Sequence, residues 1–141
     1  MERLEFLKKL GLGGGALVAV YCTGALGGCK KKEVKPEPEN KDFILDLNSP
    51  SYSALKNNGT FIIYDSVVVA KTTSGNYVAV TQICSHEQNK NVVYLQADNE
   101  FYCSVHGARY NVSGVGLNSN GSKGIKVYST VLNGTMLRIF G

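Results

Sequence analysis

Short runs of β-branched and aromatic residues recur from Phe43 to the end of the chain, and clusters rich in glycine, asparagine and serine separate them. No window here shows the apolar spacing of a sustained helix, and only a brief helix is expected, near residues 51–55. Asn133-Gly134 is the clearest hairpin signal, because these residues tolerate the positive φ angles of a tight turn. The sequence therefore predicts an all-β domain, a sandwich or a partly open barrel. The nine predicted strands are 43–47, 60–65, 67–72, 77–83, 92–96, 100–103, 109–112, 125–132 and 135–140.

The net charge of +4 is dispersed along the chain rather than gathered in one segment. Residues 42–141 contain seven basic and six acidic side chains, so this part is close to neutral. A nearly neutral domain offers no basic patch that could follow a phosphate backbone. We therefore expect no nucleic-acid partner.

The first 28 residues have the layout of a secretory signal peptide: a short charged start, an apolar glycine-rich run and small residues before Cys29. Residues 26–29 resemble the lipobox of bacterial lipoproteins, which implies that Cys29 is lipidated and becomes the mature N-terminus. The alternative is an uncleaved signal anchor, since residues 10–28 are just long enough to span a bilayer. Either outcome tethers the protein to a membrane.

The segment 29–41 is charged, contains prolines and has little apolar surface. Such a composition favours a flexible linker, because it cannot bury enough surface to order itself. The remaining residues, 42–141, suffice for one folded domain of ordinary size. We expect this domain to be exported and held at the outer face of a bacterial membrane.

Two short motifs contain both histidines of the chain and two of its four cysteines. Cys84-Ser85-His86 and Cys103-Ser104-Val105-His106 each hold one cysteine and one histidine, and sixteen residues separate them. Thiolates and imidazoles in a two-plus-two set favour zinc or an iron-sulfur cluster over hard cations. A zinc finger usually takes both cysteines from one knuckle and both histidines from a helix, whereas here each loop supplies a mixed pair. We therefore expect metal ligation rather than a structural disulfide, with a zinc-stabilised binding module as one alternative.

The spacing C-x-H followed by C-x-x-H-G resembles the signature of Rieske proteins, and the resemblance extends over the β-rich chain from residue 42 onward. It implies an antiparallel β-sandwich with a small cluster-binding subdomain, and a 2Fe-2S cluster as the cofactor. By this resemblance Cys84 and Cys103 would ligate the inner iron. His86 and His106 would ligate the outer, solvent-facing iron.

Residues beside the second motif bear on the reduction potential that the resemblance implies. In high-potential members of the family, the glycine after the last histidine is followed by serine, one further residue and tyrosine, and both hydroxyls donate to cluster sulfurs. Here Gly107 and Tyr110 match this pattern, and Ala108 replaces the serine. The disulfide that braces the cluster in quinol-oxidising members would need cysteines where this chain has Asn89 and Val105. One hydroxyl donor and no bracing disulfide imply an intermediate potential.

The resemblance implies a one-electron carrier, with redox proteins as its donor and acceptor. An alternative is the Rieske subunit of a quinol-oxidising respiratory complex, in which His86 or His106 would contact quinol. The domain leaves no room for a second catalytic domain, and no third histidine is present for the mononuclear iron site of a Rieske oxygenase. An electron-transfer protein is therefore favoured over a stand-alone enzyme.

Overall fold

The computed structural model describes residues 36–141, and the predicted signal peptide (1–28), Cys29 and the linker up to residue 35 lie outside the described residues. Each predicted strand is present, and a short 3-10 helix, Ser53–Lys56, lies where a brief helix is expected. Within the described part of the chain, no helix is long and apolar enough to cross a bilayer. The strands are β1 (Asp42–Asp46), β2 (Thr60–Tyr64), β3 (Val67–Lys71), β4 (Tyr77–Thr81), β5 (Val92–Leu95), β6 (Glu100–Cys103), β7 (Arg109–Asn111), β8 (Val127–Asn133) and β9 (Met136–Phe140).

Six strands form an antiparallel sheet in the order β1-β9-β8-β4-β3-β2. β8 and β9 form the predicted hairpin, and Gly134 in its turn has a φ of +61°. Alternation along β9 buries Leu137 and Ile139 and leaves Met136 and Arg138 exposed. β1 pairs with β9, so the first and last strands of the domain lie side by side.

The other three strands, β5, β6 and β7, form a separate small antiparallel sheet. The first Cys/His motif lies in the connection between β4 and β5, and the second begins at the end of β6 and continues into the loop before β7. Val92 at the start of β5 pairs with Cys103 at the end of β6. The loop before β5 and the loop after β6 therefore emerge at the same end of the small sheet, which brings the two motifs together.

β3 lies between two apolar clusters. Its alternate side chains Val68 and Ala70 pack with residues of the small sheet, whereas Val67 and Val69 pack within the larger sheet. All four side chains are fully buried, which explains why this run is continuously apolar instead of alternating. The first of these clusters, which we call the site core, also contains the two described cysteines. The all-β expectation is confirmed, and the two cysteines of the ligand loops are part of this buried cluster.

The chain already contacts the larger sheet before β1 begins. The Tyr128 hydroxyl donates to the carbonyl of Glu39 at 2.8 Å. The Lys126 ammonium donates to Oδ1 of Asn40 at 2.7 Å. The last residues of the predicted linker are therefore held against the domain.

Candidate metal centre

The two Cys/His motifs fold into loops with the same backbone hydrogen bonds. The amide of Cys84 donates to the carbonyl five residues later, and the Cys84 carbonyl accepts from the amide four residues later, each at 2.8 Å. Cys103 makes both bonds with the same offsets, each at 2.9 Å. The fourth residue after each cysteine has a positive φ, +59° at Gln88 and +74° at Gly107. The two loops are therefore equivalent in bonding although one contains Cys-x-His and the other Cys-x-x-His.

Within each loop the cysteine is buried and the histidine lies nearer to solvent. Cys84 and Cys103 are 1% and 0% exposed. The side chain of His106 is 40% exposed, and His86 is half-buried. The two imidazole rings are neighbours, with centroids 5.1 Å apart and planes at 74°. The structure thus brings the four predicted ligand residues together as a buried thiol pair and a more exposed imidazole pair.

Two features show that these residues fit a positively charged metal group. Nδ1 of His86 is buried and has no hydrogen-bond partner in the described part of the chain, a situation that costs about 1–3 kcal/mol. Burial raises the pKa of the Cys103 thiol; two amides of its loop lower it, and the neighbouring Cys84 raises it further. Both thiols are free. Iron would give the nitrogen a partner and compensate two adjacent thiolates, so the donor set fits an iron-sulfur cluster.

Gly107 and Ala108 continue the second loop. At Gly107 an added Cβ would have only the Tyr102 ring within 4 Å, at 3.9 Å from its nearest carbon. The left-handed backbone, rather than crowding, therefore favours glycine at this position. Ala108 is fully buried in the site core, so its methyl group packs where the family pattern has a hydroxyl.

Tyr110 places its hydroxyl beside the sulfur of Cys84. Its Oη lies 3.3 Å from Cys84 Sγ and 2.9 Å from Ser85 Oγ, and its ring is fully buried. Burial raises the pKa of Tyr110 to about 12, and the hydrogen bond with Cys84 contributes in the same direction. The phenol therefore keeps its proton at neutral pH and is able to donate it to a sulfur. Sequence reasoning missed Ser85, because its contact joins residues that are 25 positions apart.

Glu87 is a second residue that sequence reasoning missed. Its Oε2 lies 3.6 Å from Nδ1 of His106, and the ligand atoms of Glu87, His86 and His106 all lie within 4.8 Å of one another. Its place directly after His86 in the sequence is the one signal that could have marked it. The carboxylate adds a negative charge at the exposed edge of the imidazole pair.

Comparison with known proteins agrees with this geometry. The family model of the Rieske [2Fe-2S] domain matches residues 46–129, a range that contains both motifs. Among curated proteins, the chain is similar to the cytochrome b6-f complex iron-sulfur subunit of Chlorobaculum thiosulfatiphilum. The two are 27% identical over 139 residues, which cover 98% of this chain and 75% of that protein.

Two solved structures share the fold at low sequence identity. The ferredoxin of carbazole 1,9a-dioxygenase from Nocardioides aromaticivorans IC177 is 22% identical with a TM-score of 0.50, covering 62% of this chain and 91% of that one. A naphthalene 1,2-dioxygenase mutant bound to phenanthrene is 17% identical with a TM-score of 0.52, covering 70% of this chain and 26% of that one. These neighbours confirm the predicted Rieske-like sandwich. Since the family match covers more than half of the chain, the protein belongs to the Rieske 2Fe-2S domain family and is an electron carrier whose cofactor is a 2Fe-2S cluster.

Proposed function

We propose that Cys84 and Cys103 hold the inner iron of the cluster and that His86 and His106 hold the outer iron. The observation that carries this assignment is the separation of the donors into a buried thiol pair and an exposed imidazole pair on two equivalent loops. The unpaired Nδ1 of His86 supports it, because a bond to metal gives that nitrogen the partner it lacks.

The chain insulates one side of the site and exposes the other. When bound, a cluster with this ligand set accepts and returns one electron at a potential between about −150 and +300 mV. Cys84 and Cys103 lie in the site core, which keeps water away from the sulfur side. The 40% exposure of the His106 side chain lets a partner protein approach the ligand ring directly. We therefore propose that electrons pass to and from redox proteins across this histidine edge.

Tyr110 and Gly107 support the ligands in this proposal. The Tyr110 hydroxyl donates to Cys84 Sγ and stabilises the reduced state, in which the sulfur carries more negative charge. Gly107 lets the second loop turn at a positive φ directly after His106. Because Ala108 offers no second hydroxyl, we propose an intermediate reduction potential.

The purified holoprotein tests the proposed ligands. We expect iron and acid-labile sulfide in equal amounts, and loss of the cluster in His86→Ala and His106→Ala. Ser104→Ala is the matched control, because this exposed residue lies in the second loop between two proposed ligands. Bound zinc with no visible absorption would favour the zinc-stabilised module instead.

We further propose that residues 1–28 are a signal peptide, that residues 29–41 form a lipidated linker, and that residues 42–141 form the domain at the outer face of a bacterial membrane. The sequence of the leader supports this arrangement. In the full chain, Cys29→Ser should stop incorporation of labelled fatty acid and leave the leader uncleaved, while Cys22→Ser should do neither. A wild-type protein that takes up no fatty acid and keeps its leader would indicate an uncleaved signal anchor.

The second candidate function is the Rieske subunit of a quinol-oxidising complex. It is favoured by the 27% identity, over 98% of this chain, with a protein named as a cytochrome b6-f complex subunit. Deletion of the chain distinguishes the two functions. Membranes of the deletion strain keep quinol oxidation if the protein is a separate carrier, and lose it if the protein is a subunit of the complex.

A further inference from the structure

The segment after β7 folds back onto β7, which is the strand that follows the second ligand loop. The amide of Leu117 donates to the carbonyl of Arg109 at 2.8 Å. Gly121 packs on the same backbone so closely that an added Cβ would collide with the Arg109 carbonyl oxygen. Residues 117–121, which we call the clamp segment, are therefore fixed against the chain just beyond the loop.

Two asparagine side chains reach from the clamp segment to carbonyls of the ligand loop. Nδ2 of Asn120 donates to the carbonyl of His106 at 2.6 Å, and Nδ2 of Asn118 donates to the carbonyl of Gly107 at 2.7 Å. The other side-chain atom of Asn118, Oδ1, accepts two backbone amides at 3.2 and 2.9 Å, which belong to Arg109 and to Gly121. The Asn118 oxygen therefore links the clamp segment to β7, and the Asn118 nitrogen binds the ligand loop.

These bonds act on the most exposed part of the ligand loop. Cys103 is fixed by burial at the base of the loop, whereas the residues from Ser104 to His106 are all exposed. Groups beyond the ligands commonly set the orientation of the ligands themselves. We propose, building on the ligand set proposed above, that Asn118 and Asn120 are positioning residues that hold the backbone of His106 in place relative to Cys103.

Two substitutions separate positioning from general stability. Asn118→Asp keeps an oxygen that accepts both backbone amides, and it replaces the donor to Gly107 by a charged carboxylate oxygen that repels this carbonyl. Asn120→Ala removes the donor to His106. Asn58→Ala is the matched control, since Asn58 Nδ2 donates to the carbonyl of Thr73 at 3.4 Å in a turn that holds no proposed ligand.

The test makes three measurements on the full chain. Hydrogen exchange of the amides from Ser104 to Gly107 should become about fivefold faster in Asn120→Ala, the factor expected for one lost hydrogen bond, and at least as much faster in Asn118→Asp. In the holoprotein, cluster loss under a chelator should accelerate by about the same factor, and the EPR g-values of the reduced state should shift. The control should leave all three measurements unchanged.

The outcomes that would overturn the proposal are distinct from those that would overturn the ligand assignment. Unchanged exchange in both variants would show that the asparagines do not hold the loop. Faster exchange with unchanged cluster lifetime and unchanged g-values would show that they only stabilise the loop and do not position a ligand. A wild-type protein without a histidine-ligated cluster would overturn the ligand assignment, and with it the positioning role. The exchange measurement would then still report whether the asparagines hold the loop.

Discussion

Replacing Tyr110 by phenylalanine should lower the reduction potential while the fold stays intact. The tyrosine ring is fully buried and packs in the site core, and phenylalanine keeps that ring. The change removes one oxygen, which lies 3.3 Å from Cys84 Sγ and 2.9 Å from Ser85 Oγ. Ser85 is half-buried, so water can replace its lost partner. The main consequence of Tyr110→Phe therefore falls on the sulfur of Cys84.

The size of this effect follows from the charge of the sulfur in the two redox states. A hydrogen bond to a neutral acceptor contributes about 1 kcal/mol and one to a charged acceptor about 2 kcal/mol. Reduction makes the sulfur more negative, so the hydroxyl stabilises the reduced state by about 1 kcal/mol more than the oxidised state. For a one-electron couple 59 mV corresponds to a factor of ten, so the loss of the hydroxyl should lower the potential by about 40 mV.

Redox titration followed by circular dichroism or EPR measures this shift in the holoprotein. Tyr94→Phe is the matched control, because the Tyr94 hydroxyl donates to Asn99 at 2.6 Å and its ring is also buried in the site core. The control should leave the potential within about 10 mV of wild type, since no hydrogen bond to sulfur is lost. An unchanged or higher potential in Tyr110→Phe would refute the donation from Tyr110 to Cys84.

Three further predictions test other parts of the site. Ala108→Ser should raise the potential by about 40 mV in a redox titration, because it adds a second hydroxyl beside the cluster; a lower potential would contradict this. Gly107→Ala should destabilise the domain by about 1–2 kcal/mol in urea unfolding, because φ there is +74°. Gly134→Ala, at φ +61° with open space around it, should lower the free energy of unfolding by a similar amount. It should leave the rate of cluster loss unchanged, because this turn holds no proposed ligand. Removal of the cluster should lower Tm in calorimetry, since a group that binds only the folded state stabilises that state; equal Tm values with and without the cluster would contradict this.

The strands were predictable from the sequence because local pattern determines them. Runs of β-branched and aromatic residues marked the nine strands, and Asn133-Gly134 marked the hairpin between β8 and β9. The sheet order was not predictable in this way. β1 pairs with β9 and β4 with β8, and such pairings join distant parts of the chain that no local signal connects.

The four candidate ligands were inferred because chemistry restricts them to cysteine and histidine at fixed spacing. In the structure the two imidazoles are neighbours and both cysteines are buried. Of the residues around them, Gly107 and Tyr110 were indicated by the family resemblance, whereas others were not. Ser85 and Asn120 are common loop residues that matter only when another segment comes within hydrogen-bonding distance. Ser85 bonds with Tyr110, and Asn120 bonds with the carbonyl of His106. A sequence gives the ligands of such a site more readily than the residues that hold those ligands.

The most direct test of the proposed ligand set is pulsed EPR of the dithionite-reduced holoprotein with ¹⁵N-labelled histidine. Two nitrogen couplings of similar size, absent from a sample with labelled backbone only, are expected if His86 and His106 both bind the outer iron. A reduced cluster without histidine nitrogen couplings, or an EPR-silent protein that contains zinc, would contradict the account.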